Sequence, residues 1–148
     1  MKKIIFTTAV LLLLFTSCKK DKSTASGTCN KTVADIAGTY AILKIEVGMN
    51  GVFLDITSQQ DACEKDDRLT LNANGTSAYQ DLGTVCSPSG DDSGTWSIDA
   101  NGRMTIKDNG GNDDISSADI TSFDCHTLVL TGTDISSPAE QVRLTLKK

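Results

Sequence analysis

Ala41-Ile42-Leu43-Lys44-Ile45-Glu46-Val47-Gly48-Met49-Asn50-Gly51-Val52-Phe53-Leu54-Asp55-Ile56 is the stretch from which the fold is read. Ala41, Leu43, Ile45 and Val47 fall on one side of an extended chain, and Lys44 and Glu46 on the other. This period of two is that of a half-buried strand. Asn50-Gly51 accepts the left-handed backbone of a two-residue hairpin turn. Val52, Leu54 and Ile56 then alternate with Phe53 and Asp55, so the chain returns antiparallel to itself.

The same grammar recurs on the C-terminal side. Leu69 and Leu71 alternate with Arg68 and Thr70, Asn74-Gly75 turns, and Thr76 to Leu82 returns. Trp96 and Ile98 alternate with polar neighbours, and Asn101-Gly102 turns into Met104 and Ile106. Ile115 to Phe123 is a weaker strand; Leu128 and Leu130, then Val142, Leu144 and Leu146, alternate again. Upstream, Val33 to Ile36 has room for one helical turn stopped by Gly38. Eight or nine short strands with turns every 8–12 residues or so indicate an all-β, antiparallel fold. Short links favour an up-and-down meander, and closure into a barrel of about eight strands removes the aggregation-prone edges. Such a barrel is just wide enough to fill itself with side chains or to hold one small ligand. Leu43, Ile45, Leu71, Trp96, Met104, Leu130 and Leu144 are expected to line its interior.

The first 17 residues have a separate purpose. Met1-Lys2-Lys3, an apolar run from Ile4 to Phe15 and the small exit Thr16-Ser17 have the layout of a secretory signal peptide. The run is shorter than the roughly 20 residues a membrane span requires. Leu14-Phe15-Thr16-Ser17-Cys18 resembles the lipobox of bacterial lipoproteins, with Phe15 bulkier than usual. That resemblance implies removal of residues 1–17, acylation of Cys18 and membrane attachment through its acyl chains. Residues 18–31 are almost free of apolar side chains and read as a flexible tether, with the domain at 32–148. Lys19-Lys20-Asp21-Lys22 carries the lysines but only one acid of the surface-export signal of some Bacteroidetes lipoproteins. It therefore leaves the periplasmic and the surface-exposed locations open.

The leader holds two of the chain's 14 basic residues and none of its 19 acidic ones, so its loss moves the formal charge from −5 to −7. An acidic chain is a poor partner for nucleic acid or anionic headgroups, both of which need a basic surface. Cys29, Cys63, Cys86 and Cys125 remain after Cys18. An even number in an exported domain reads as disulfides. Three connectivities are allowed. The expected pairs are Cys63–Cys86, flanking a hairpin, and Cys29–Cys125, joining the start of the domain to a late strand. No C-x-x-C pair is present and His126 is the only histidine, which argues against zinc.

Ile36-Ala37-Gly38-Thr39-Tyr40 and Ser93-Gly94-Thr95-Trp96 echo each other. Between them lie Cys63, the acids to Asp67, Arg68-Leu69-Thr70-Leu71, Asn74-Gly75-Thr76 and Cys86. In that order these elements resemble the lipocalin-like domains of small Bacteroidetes lipoproteins, over about residues 34–147. Tyr40 stands where those domains usually have Trp, and Leu71 where they often have Phe. The resemblance implies a lipocalin-like barrel with a small calyx. It also implies closure of one barrel end by the early aromatic against a late basic residue, here Tyr40 and Arg143.

No catalytic constellation accompanies this. His126 lacks a nucleophile and an orienting group, and no G-x-S-x-G elbow occurs. Asp61, Glu64, Asp66 and Asp67 read either as paired carboxylates or as acids solvating a loop, the second being the usual outcome. Asp108-Asn109-Gly110-Gly111-Asn112-Asp113-Asp114 is rich in oxygen ligands, but its spacing departs from an EF-hand loop, so no metal is expected. Phe53 and Tyr79 pack on the sheet more readily than they form a sugar platform. The expectation is a non-enzymatic, cofactor-free protein of the cell envelope, anchored to the outer membrane, binding a small apolar ligand. The alternative is a filled barrel that docks onto a larger envelope protein complex.

Overall fold

The computed structural model describes residues 29–111, 113–133 and 139–148. The leader, Cys18 and the expected tether up to residue 28 lie outside the described residues. One helical turn, α1 (Val33–Ile36), precedes nine strands: β1 (Gly38–Met49), β2 (Val52–Asp55), β3 (Arg68–Leu71), β4 (Thr76–Gln80), β5 (Asp92–Ile98), β6 (Arg103–Asp108), β7 (Asp113–Phe123), β8 (Thr127–Thr133) and β9 (Gln141–Lys147). A short 3-10 turn, Thr57–Gln59, follows β2.

Every neighbouring pair is antiparallel. The sheet runs β1-β3-β4-β5-β6-β7-β8-β9, and β9 pairs back onto β1, which closes eight strands into a barrel. β2 is a ninth strand outside the circuit. β1 is long enough to serve three partners: Gly38–Ala41 pairs with β3, Glu46–Met49 pairs with β2, and Ala41–Gly48 pairs with β9 along the other edge. The Asn50-Gly51 turn has φ of 53° and 81°, both left-handed as the hairpin needs.

The up-and-down order sorts the connections between two ends. The β3–β4, β5–β6 and β7–β8 turns share one end with α1. The β1–β2 hairpin and the long links 56–67 and 81–91 occupy the other. The α1 end is plugged. Thr32 caps α1, its Oγ1 accepting the Asp35 N–H at 3.2 Å. Ile36 is fully buried and packs with Tyr40, Leu71, Trp96, Met104, Leu128, Leu130 and Leu146, all at most 3% exposed. The polar atoms this plug would strand find partners. The Tyr40 hydroxyl donates to the Ile36 carbonyl, and Trp96 Nε1 donates to the Asn72 carbonyl at 2.8 Å. A Cys29–Cys125 disulfide ties the chain ahead of α1 to the β7–β8 turn.

Strand phase departs from the sequence reading in one place. The β1–β9 register shifts between Ile42 and Lys44, so Leu43 is a bulge residue. Tyr40 and Ile42 face the core before it and Ile45 after it. Leu43, expected inside, is 55% exposed, and Ala41 pairs across to Arg68 and Lys147 on the outer row. The extra residue flips the alternation that the sequence reading carried unbroken through Leu43.

Carboxylates pin the turns at the α1 end. Asp99 Oδ1 accepts the N–H groups of Asn101 and Arg103 at 2.8 and 2.9 Å. The bond from Arg103, then that from Asn101, holds its carboxyl below the usual range. Asp124 is lowered likewise by the N–H groups of Thr127 and His126. Both bind a proton less readily folded than unfolded. Their contribution is therefore complete above the unfolded value near pH 4 and is lost as pH falls through the lower folded values. The urea midpoint is expected to drop below about pH 4, and the double variant Asp99→Asn, Asp124→Asn to flatten that fall. On chain-entropy grounds Cys29–Cys125 spans 96 residues and Cys63–Cys86 spans 23, so removal of the first should cost roughly 4–5 kcal/mol and of the second roughly 3. Urea titrations of the two Cys→Ser pairs measure the order.

Candidate functional site

The barrel's lining does not stop at its rim. Ile45 lies beside Leu144, which lies beside the buried Leu130. Two positions further along β1, Val47 is flanked by Val142 and Leu54; two further again, Met49 faces Val52. Period two puts all of these on the face that is the barrel interior lower down. At the hairpin end this face is uncovered: Met49 is 56%, Leu54 69% and Val52 77% exposed. A hollow of about 280 Å³ lies here, lined by Val47, Gly48, Met49, Val52 and Glu140. Among the described residues no strand pairs with the outer edge of β2.

The opposite face of the hairpin holds it in place. The Arg143 guanidinium stacks 3.6 Å from the centroid of the Phe53 ring and lies 3.7 Å from Glu46. Lys44 reaches the other oxygen of Glu46 at 2.8 Å and Asp55 at 3.8 Å. Gly48 sits between Phe53 and β9. A Cβ there would come 2.9 Å from the Phe53 ring, so glycine lets the ring settle on the backbone. At the base of β2 the Thr57 hydroxyl accepts the Ile45 N–H at 2.9 Å and donates to Asp55 at 2.6 Å, filling the gap on the β1 edge between β2 and β3.

Buried carboxylates organise the far rim. The Cys63–Cys86 disulfide joins the two long links. Asp67, 2% exposed, accepts the Tyr79 hydroxyl at 2.9 Å and the Leu82 N–H at 3.1 Å. Asp81, 6% exposed, accepts the Cys86 N–H at 3.0 Å and the Gly90 N–H at 2.8 Å. Asp91 in turn accepts the Asp81 N–H at 2.8 Å. Gly83 has a left-handed φ of 59°, and a Cβ there would fall 1.8 Å from Asp66 Oδ2, so another residue would strain the backbone and displace that carboxylate. Burial, reinforced by the Asp67 bond, pushes the Tyr79 hydroxyl well above its usual range. The acids expected either to pair for catalysis or to solvate a loop thus divide: Asp66 and Asp67 hold the neighbouring link, while Glu64 caps its own turn by accepting the Asp61 N–H at 3.2 Å.

The expected site residues fall into three places. Leu71, Trp96, Met104 and Leu130 are packed in the core, while Ile45 and Leu144 are half-buried above it. Leu43 is outside, on the bulge. Tyr40 and Arg143 do not meet. Arg143 belongs to the outer staple at the hairpin end, and Tyr40 lies at the α1 end. There Lys148 takes the expected position: Nζ lies 5.4 Å from the Tyr40 ring and 5.5 Å from the Phe123 ring, donating to the Asp35 carbonyl at 2.8 Å. Burial raises the Tyr40 hydroxyl to about 12 and lowers the Lys148 ammonium. The sequence held a signal for this swap, since Arg143 alternates with inward Val142 and Leu144. Glu140 gave none.

The described residues contain no cluster of three or more His, Cys, Asp or Glu side chains placed to hold a metal ion. Asn112, in the glycine-rich stretch between β6 and β7, lies outside the described residues. His126 sits in the β7–β8 turn, its N–H bonded to Asp124.

The lipocalin-like domain family matches residues 36–130 by its sequence model. No curated protein and no solved structure matches the chain.

The outer staple makes a prediction. Arg143→Ala removes the stack on Phe53 and one of two cations beside the buried Glu46, and is expected to cost about 1–2 kcal/mol. Amides of Val52–Asp55 should exchange faster than those of β8. Leu43→Ala, on the exposed bulge, should cost under about 0.5 kcal/mol. Hydrogen exchange and urea unfolding report both.

Proposed function

Because the chain belongs to the lipocalin-like domain family, we propose that it is a lipid-anchored envelope protein whose barrel holds a small apolar ligand without transforming it. One observation carries the ligand reading. The inner face of β1 and β2 stays apolar beyond the rim and is uncovered there, beside a hollow of about 280 Å³. Burying such surface contributes roughly 25 cal/mol per Å², and an uncovered contiguous patch is unusual unless something occupies it. The buried acids at the far rim are spent on backbone N–H groups, which suits a scaffold better than a general acid or base.

In this reading residues 1–17 are removed, Cys18 carries the acyl chains, residues 18–31 form the tether and residues 32–148 the binding domain. The lipobox-like sequence supports the anchor, and the two disulfides fit an oxidising compartment. Which face of the outer membrane carries the protein depends on the region after Cys18. A second reading rests on the edge of β2 with which no strand pairs among the described residues; with the same exposed face it would suit docking onto an envelope protein.

Native mass spectrometry of the domain purified without detergent tests the first reading. The expected result is a co-purifying small molecule, or saturable binding of an apolar fluorescent probe that Val52→Asp weakens. Retention of a protein partner with neither result favours docking. For the anchor, Cys18→Ala should move the protein from the membrane fraction to the soluble one.

A further inference from the structure

Among the described residues, Glu140 is the one ionisable side chain on the walls of the 280 Å³ hollow at the hairpin end. It is half-buried. It has no hydrogen bond and no ion pair among the described residues. The two nearby cations are committed on the other face of the hairpin: Arg143 to Phe53 and Glu46, and Lys44 to Glu46 and Asp55. Several carboxylates elsewhere around this barrel end are occupied. Asp67 and Asp81 accept backbone and hydroxyl donors, Asp55 accepts Thr57, and Asp91 accepts the Asp81 N–H. Among the described residues Glu140 is set apart by its surroundings, an unpaired carboxylate in a wall of Val47, Met49 and Val52.

The chemistry of those walls limits the occupant. A hard inorganic cation takes several oxygen ligands, and the described walls of this hollow offer one carboxylate. A neutral apolar guest would strip water from Glu140 and return nothing. An anionic amphiphile would be repelled. A guest with an apolar body and one positive charge satisfies both surfaces. Met49 and Val52 are more than half exposed, so the guest's attraction to Glu140 is the modest one of a solvent-accessible ion pair. The volume is at the lower end of the range for ligand pockets, roughly 300–1,000 Å³, so the body is short. Resting on the ligand-binding reading above and refining it, we infer that the hairpin-end hollow selects small hydrophobic monocations of the alkylammonium class, with Glu140 as the residue that sets the charge preference.

Calorimetry of the full chain at low salt with n-octylammonium, n-octanol and n-octanoate tests this. The three share a chain length and differ in head charge. The ammonium is expected to bind about fivefold tighter than the alcohol, and the carboxylate weakest, with the margin shrinking in high salt. Glu140→Gln should bring the ammonium to within about twofold of the alcohol while leaving the alcohol's affinity in place. Val52→Ser, at an exposed position, should weaken all three. If the alcohol binds as tightly as the ammonium, or if Glu140→Gln leaves the preference intact, the charge selection is overturned and the apolar-ligand reading survives. If none of the three binds, both are overturned.

Discussion

The pairing of β9 with β1 is the constraint on which the molecule rests. Seven register pairs from Ala41–Lys147 to Gly48–Gln141 turn a meander into a barrel. Without them two strand edges would lie open and the core cluster would lose a wall. β1 pays for closure with its bulge. It must bond β9 along one edge while handing the other from β3 to β2, and a straight twelve-residue strand would have to satisfy both registers at once. The extra residue at Leu43 changes phase between the two tasks. Below it β1 packs Tyr40 and Ile42 into the plug; above it β1 leads Ile45, Val47 and Met49 out past the rim.

The two barrel ends use different physics. At the α1 end, apolar volume dominates: a buried helical turn, two aromatic rings and the aliphatic stem of Lys148 fill the opening, and each stranded polar atom has a local partner. At the hairpin end, long links are tied by carboxylates to backbone N–H groups and by a disulfide, and one arc of the rim is a greasy overhang. Arg143, Phe53 and Gly48 form the hinge between these regimes, since they hold the overhang to the barrel from its polar side.

Much of this was legible in the sequence, and the exceptions have physical causes. Asn-Gly at 50–51 and 74–75, and Asn101-Gly102, marked turns because few dipeptides accept the left-handed backbone there. Val142, Leu144 and Leu146 alternate against Arg143, Thr145 and Lys147 and left only one choice of face. The bulge was invisible because Ile42 and Leu43 are equally apolar, so an inserted residue changes nothing in the pattern of types. The exposure of Val52 and Leu54 was hidden for a related reason. Alternation reports which face is apolar but not whether anything covers it. Arg143 was assigned to Tyr40 by resemblance, although its own parity placed it outside; Lys148 escaped because a residue beyond the last alternating position carries no parity. The partnering of Asp67 and Asp81 needed three dimensions, since their donors lie on other links.

The Cys29–Cys125 bond has a mechanical consequence. A pull on the chain ahead of Cys29 does not reach the barrel through one strand. It divides at the sulfur atoms, one share passing along the backbone into β1 and the other crossing directly to the turn between β7 and β8, several strands around the circumference. Peeling β1 away like the end of a tape is thereby blocked, because the same tension also hauls on the far wall. The domain resists traction as a hoop held at two points rather than as a ribbon held at one.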